Sequence, residues 1–95
     1  MALAATSRPK LSQKARLVWD RVEKRHVLLY PERGLALNPI AAAVVRELGG
    51  DLSVGEIASA IAAQFPGAPH DEVERDVLAF LDELEARALL DQAAP

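Results

Sequence analysis

Ninety-five residues, 51% of them hydrophobic, are enough to enclose one core and too few for two domains of ordinary size. The chain has no cysteine, which excludes disulfides and thiolate metal sites, and no apolar run near the roughly 18 residues that a membrane helix needs. The net charge of -3 hides an asymmetry: positions 8–26 carry seven Lys/Arg against two acids, and positions 71–87 carry seven Asp/Glu against two Arg, so the two ends of the chain suit different partners.

Residues 1–14 read as a flexible arm, rich in Ala, Ser, Lys and Pro and without a usable period. The opening MALAATSRPK lacks the long apolar core of a secretory signal, and a soluble cytoplasmic protein is the expectation. Residues 15–91 read as one folded domain and 92–95 as a loose tail. Within the domain, RLVWD and HVLLY over 16–30 predict a β-hairpin, with Leu17 and Trp19 on one face and Val18 and Asp20 on the other. The connection Arg21-Val22-Glu23-Lys24-Arg25 has neither Gly nor Asn and names no turn type. Pro31 ends the second strand because it has no N–H to donate. Gly34 offers a positive φ at which the chain could reverse. Leu35-Ala36-Leu37 then alternates as a short third strand, with the two leucines sharing a face.

Asn38-Pro39 predicts a helix start, Asn as N-cap and Pro in the first turn. Ile40, Val44 and Leu48, with Ala41 and Val45, form its apolar stripe, and Gly49-Gly50 is placed at its end. Ser53-Val54-Gly55-Glu56 is a capping box for a second helix, whose inward stripe is Ile57, Ile61 and Phe65 and which Pro66-Gly67 terminates. A third helix begins near Asp71, with Glu74 repeating the cap spacing and Val73, Val77, Phe80, Leu81 and Leu84 as its stripe. Leu89-Leu90 is expected to pack back on the core. The order predicts an α+β fold, a winged helix-turn-helix with a three-stranded antiparallel sheet followed by three helices.

The residues of an enzyme site are not evident. His26 and His70 have no serine or cysteine partner in the pattern, and HDEVE does not make a closed metal-ligand set. Asp71, Glu72 and Asp76 read instead as acids at a helix N-terminus. No cofactor is expected. A winged helix suggests DNA, but here the third helix would bring seven acids against two bases to a phosphate backbone, which repels it. A short third strand leaves an edge that another chain's strand can join. Each added main-chain bond contributes about 1 kcal/mol, so micromolar binding, about -8 kcal/mol, needs apolar anchors as well. The third-helix face near Val73, Val77, Phe80 and Leu81 offers them, with Val73, Asp76 and Val77 expected at the rim.

The run LLYPERGLALNPIAAAVV, the capping-box helix and ERDVLAFLDELEARALL together resemble the PqqD family of pyrroloquinoline quinone (PQQ) biosynthesis, over roughly residues 8 to 91. The chain departs from that pattern at Gly49-Gly50-Asp51 and at Ala88, where the family commonly has Asp-Gly and Gly. The resemblance implies a non-catalytic peptide chaperone that binds the precursor peptide PqqA and presents it to the radical S-adenosylmethionine enzyme PqqE. It implies peptide contacts at Leu35, Ala36, Leu37 and Asn38 on the third strand and at Val73, Asp76, Val77, Phe80 and Leu81 on the third helix. The basic residues Lys14, Arg16, Arg21 and Arg25 are the expected contact for PqqE, since charged rims steer association. A recognition element for another modified peptide, and a DNA-binding regulator, are the alternatives. The free strand edge allows a monomer or a homodimer that exchanges its N-terminal strands.

Overall fold

A computed structural model describes residues 3–92. In chain order it contains β1 (Pro9–Leu11), β2 (Arg16–Asp20), β3 (Arg25–Tyr30), β4 (Arg33–Leu37), α1 (Pro39–Arg46), α2 (Val54–Gln64), α3 (His70–Ala86) and β5 (Leu90–Gln92). β2, β3 and β4 form an antiparallel sheet in that order, and β1 pairs with β5 in a separate two-stranded sheet. The α+β architecture is the one the sequence predicts, with β1 and β5 added to it.

The three-stranded sheet is amphipathic because its strands alternate. Leu17, Leu28 and Leu35 lie opposite one another across the three strands, as do Trp19, His26 and Leu37. The leucines of this face meet the helices, and Leu28 is completely buried. The hairpin turn left open by the sequence is made by Asp20, whose Oδ1 accepts from the N–H groups of Val22 (2.9 Å) and Glu23 (3.1 Å). Lys24 completes it at φ 54°. The next reversal falls at Pro31-Glu32, where Glu32 takes φ 62°, and not at Gly34. Proline followed by a positive φ is the type II pattern, and Gly34 sits inside β4 instead. A Cβ there would stand 3.4 Å from the side chains of both Leu29 and Val27.

Each helix has its own start. The Asn38 Oδ1 accepts from Ala41 N–H at 2.8 Å at the head of α1. α1 stops at Arg46, before the two glycines, and Gly49 bridges to Lys10 instead of capping it. At α2 both halves of the capping box form, Glu56 N–H to Ser53 Oγ at 3.1 Å and Ser53 N–H to Glu56 Oε1 at 2.9 Å. The Ser53 backbone N–H, and then its hydroxyl, hold the Glu56 carboxyl below its ordinary value. α3 starts at His70 with Pro69 at the cap position and no side-chain cap, so the Asp71–Glu74 spacing makes no capping box. Its C-terminus closes in a Schellman turn: Leu89 N–H reaches Leu84 O and Ala88 N–H reaches Glu85 O, both at 2.9 Å. Ala88 takes the φ of 59° that glycine ordinarily supplies.

Much of the segment read as a flexible arm is tied down. Pro9 is fully buried, Leu3 and Leu11 pack on the core, and β1 pairs with β5 so that Lys10 lies opposite Asp91. Ser7 O and Ala5 O accept from Val54 N–H (2.8 Å) and Gly55 N–H (3.1 Å), which have no partner inside α2. Gln92, placed in the tail by the sequence, ends β5, while residues 1–2 and 93–95 of the expected arm and tail lie outside the described residues.

The α3 stripe Val73, Val77, Leu81 and Leu84 is at most 1% exposed, and Leu89 seals the core beyond it. Leu81→Ala is expected to cost about 2–5 kcal/mol, the transfer term plus the cavity, read from urea unfolding. Ala88→Gly is expected to raise stability by about 1 kcal/mol, because it relieves a left-handed alanine and more than offsets the added unfolded-state entropy. An unchanged or lower midpoint for Ala88→Gly would contradict the turn described here.

Candidate functional site

β4 is the border strand of its sheet, and among the described residues no strand pairs with its outer side. Tyr30 and Arg33 flank a two-residue connection and form the first bonded pair, and bonded pairs then alternate along an antiparallel ladder. Arg33, Leu35 and Leu37 therefore turn their main-chain groups to β3, whereas Gly34 and Ala36 turn theirs to the open edge. A peptide strand laid there would find donors and acceptors at alternate residues.

α3 runs back along this edge. Arg87, just past its end, donates from Nη1 to the Tyr30 hydroxyl at 2.9 Å and is held by Glu83 at 2.9 Å. At the other end Asp76 shares a cavity of about 300 Å³ with Asn38. Ile40 and Ala41 of α1 form the floor of that cavity, and Ala79, Phe80 and Glu83 of α3 continue its wall. Carboxylates thus lie along the helix wall, with the guanidinium of Arg87 and the exposed Arg33 at the turn end. Such a trough offers main-chain pairing on one side and an apolar floor with the half-buried Phe80 ring on the other.

The residues expected from the sequence divide. Asn38, Asp76 and Phe80 meet in the cavity. Ala36 is exposed at the edge, with its side chain on the sheet face away from the helices, and Leu35 is half-buried. Leu37 is buried, as are Val73, Val77 and Leu81. Val73 and Val77, expected at the rim, instead anchor α3 from beneath. Ile40, Ala41, Ala79 and Glu83 were not anticipated. The spacing 76, 79, 80, 83 is one helix face, directly beside the apolar stripe, and that spacing is the signal for Ala79 and Glu83.

The four basic residues expected to meet a partner enzyme are all exposed but do not form one patch. Arg16 lies opposite Leu29 and Arg25 opposite Asp20, at opposite ends of a ladder about 13 Å long. Arg21 joins Arg25 at the hairpin tip, and Lys14 precedes β2 at the far end. Both histidines have local partners: His26 packs edge-on to Trp19, ring centroids 4.9 Å apart, with Nε2 3.1 Å from an Arg46 nitrogen. His70 Nε2 lies 3.4 Å from Glu74. Among the described residues no three His, Asp or Glu side chains converge on a point that could hold a metal ion.

Comparison with known proteins supplies a context for this groove. The family model of coenzyme PQQ synthesis protein D (PqqD) matches residues 25–90. A protein of Azotobacter vinelandii named PqqA binding protein is 37% identical over 83 residues, 87% of this chain and 88% of that one. The solution structure of the PqqD truncation of Methylobacterium extorquens PqqCD, described as a functional, stand-alone RiPP recognition element, superimposes with a TM-score of 0.77. It is 32% identical, and the match covers 95% of each chain. TbiB1 in complex with the TbiA(beta) leader peptide matches with a TM-score of 0.67 and 25% identity, over 90% of this chain and 99% of that one. With its free β4 edge, its flanking α3 and a match that spans sheet and helices alike, the chain belongs to the PqqD family.

Proposed function

We propose that this chain is a peptide-binding recognition element of PQQ biosynthesis, which takes up the precursor PqqA as an added strand on β4 and presents it to PqqE. The observation that carries this reading is the unpaired β4 edge beside a groove walled by Asp76, Ala79, Phe80 and Glu83. Relatives named for binding PqqA, and a solved recognition element of the same fold, support the choice of peptide. The role is one of binding and presentation: the groove offers main-chain groups, an apolar floor and fixed charges, and the chemistry on the peptide belongs to PqqE. No helix among the described residues is long and apolar enough to cross a membrane, and the protein acts in the cytoplasm in this reading. The fold shared with TbiB1 bound to a leader peptide favours one other reading, in which the same groove receives a different leader.

In this mechanism the peptide backbone pairs with Gly34 and Ala36, and its alternate side chains fall on Phe80 and Ile40. The Asp76 carboxylate sets the register by attracting a cationic or donor group at the Asn38 end. Contacts to PqqE fall on the exposed cations Arg21 and Arg25 at the hairpin tip and Lys14 and Arg16 at the far end.

Titration of the labelled protein with synthetic PqqA, followed by amide NMR shifts, tests the reading. Saturating shifts are expected at 34–38 and at 76, 79, 80 and 83, with micromolar affinity; a well-folded protein that shows none would contradict it. Ala36→Pro removes one edge donor without touching the β3 ladder. It is expected to weaken PqqA binding about fivefold to tenfold, the worth of one net hydrogen bond. Unchanged affinity in a folded variant would contradict pairing at this edge.

A further inference from the structure

A larger cavity, about 410 Å³, opens on the other side of the first turn of α1, and Asn38 is the one described residue that lines both it and the groove. Its floor is apolar, built from Leu37, Pro39, Ala42 and Ala43. Two aromatic rings, Trp19 of β2 and Phe65 at the end of α2, stand at its walls. Its charged lining is wholly basic: Lys24, Arg25 and Arg46, with His26 hydrogen-bonded to Arg46. No Asp or Glu lines it.

The same corner holds apolar surface left in water. Trp19 is 54% exposed and Val22, in the turn that follows β2, is 88% exposed. Only one other large hydrophobic residue among the described ones, Leu78, is comparably open. A tryptophan exposed beside an apolar hollow is the usual form of an interface anchor. The hollow is the size of pockets that engulf a small ligand or an inserted side chain. A ring of cations around it, without a carboxylate, selects against a basic partner and favours an acidic one.

We propose that this pocket is a second recognition site, which takes an apolar or aromatic side chain flanked by carboxylates on an acidic segment of a protein partner. The inserted side chain packs on Trp19 and Phe65. The neighbouring carboxylates accept from the Arg46 guanidinium, which donates to them in bidentate fashion, and from the Lys24 ammonium. A nucleic-acid strand is disfavoured, since few cations are clustered here on a chain whose net charge is -3. Because the pocket and the β4 groove lie on opposite sides of α1, a peptide and an acidic partner can be held at once.

Trp19 is the sole tryptophan and reports on its own site. The probe is the acetylated, amidated pentapeptide EEFEE, compared with QQFQQ, EEAEE and an oligothymidylate, with light scattering on the same samples. A saturable, salt-sensitive change in Trp19 emission is expected with EEFEE, and binding about tenfold weaker or worse with QQFQQ and with EEAEE. Arg46→Glu, at an exposed position, is expected to abolish the EEFEE response while PqqA affinity stays unchanged. No saturable response to EEFEE, equal binding of QQFQQ, or an indifferent Arg46→Glu variant would overturn the proposal. So would tighter binding of the oligothymidylate. Emission that shifts with protein concentration alone, together with dimers in scattering, would assign the pocket to a second copy of this chain instead.

Discussion

Burial of Val73, Val77, Leu81 and Leu84 against the other helices and the sheet fixes the rotation of α3 about its own axis. That rotation decides which residues remain for the groove. With the stripe locked inward, the next face of the helix, Asp76, Ala79, Phe80 and Glu83, is turned to the cavity it shares with Asn38, the residue that follows β4. A turn of the helix by one residue would bury the Asp76 carboxylate and expose a core valine, at a cost of several kcal/mol for the unpaired charge. The groove is thus set by the core beneath it. Its far end is pinned in turn by Arg87, which joins the end of α3 to Tyr30.

An open strand edge invites unwanted pairing, and its management is visible here. β4 is five residues long, begins with Arg33 and lies under a helix wall that carries carboxylates. Short length and nearby charge both discourage indiscriminate addition of strands. The two ends of the described chain are secured by another device. β1 and β5 form their own small sheet, and Ala5 and Ser7 supply the acceptors that the first turn of α2 lacks. β1 and β5 therefore tie both flanks of the helical segment together.

Elements with side-chain signals were legible. Asn38-Pro39 and the Ser53–Glu56 box give the heads of α1 and α2, and period-two runs give β2, β3 and β4. Elements that depend on distant pairing were not. β1 is three residues with a buried proline, and only its union with β5 makes it a strand. The first reversal, for which the sequence named no turn type, uses Asp20 with Lys24; the second uses Pro31 with Glu32, which adopts the positive φ expected of Gly34. At the site, the edge and α3 were readable, but the stripe and the wall were merged into one face. Val73, Val77 and Leu81 share the hydrophobicity expected of a peptide contact, yet the core claims them first. Ala79 and Glu83 carry no such mark and emerge only from their spacing with Asp76 and Phe80.

Strand addition at β4 is tested most directly by amide hydrogen exchange at Gly34 and Ala36, with and without PqqA. Both amides face the open edge, so they should exchange freely in the free protein and slow markedly in the complex, while Leu35, already bonded to β3, changes little. Equal exchange at Gly34 and Ala36 in a saturated complex would place the peptide elsewhere and contradict pairing at this edge.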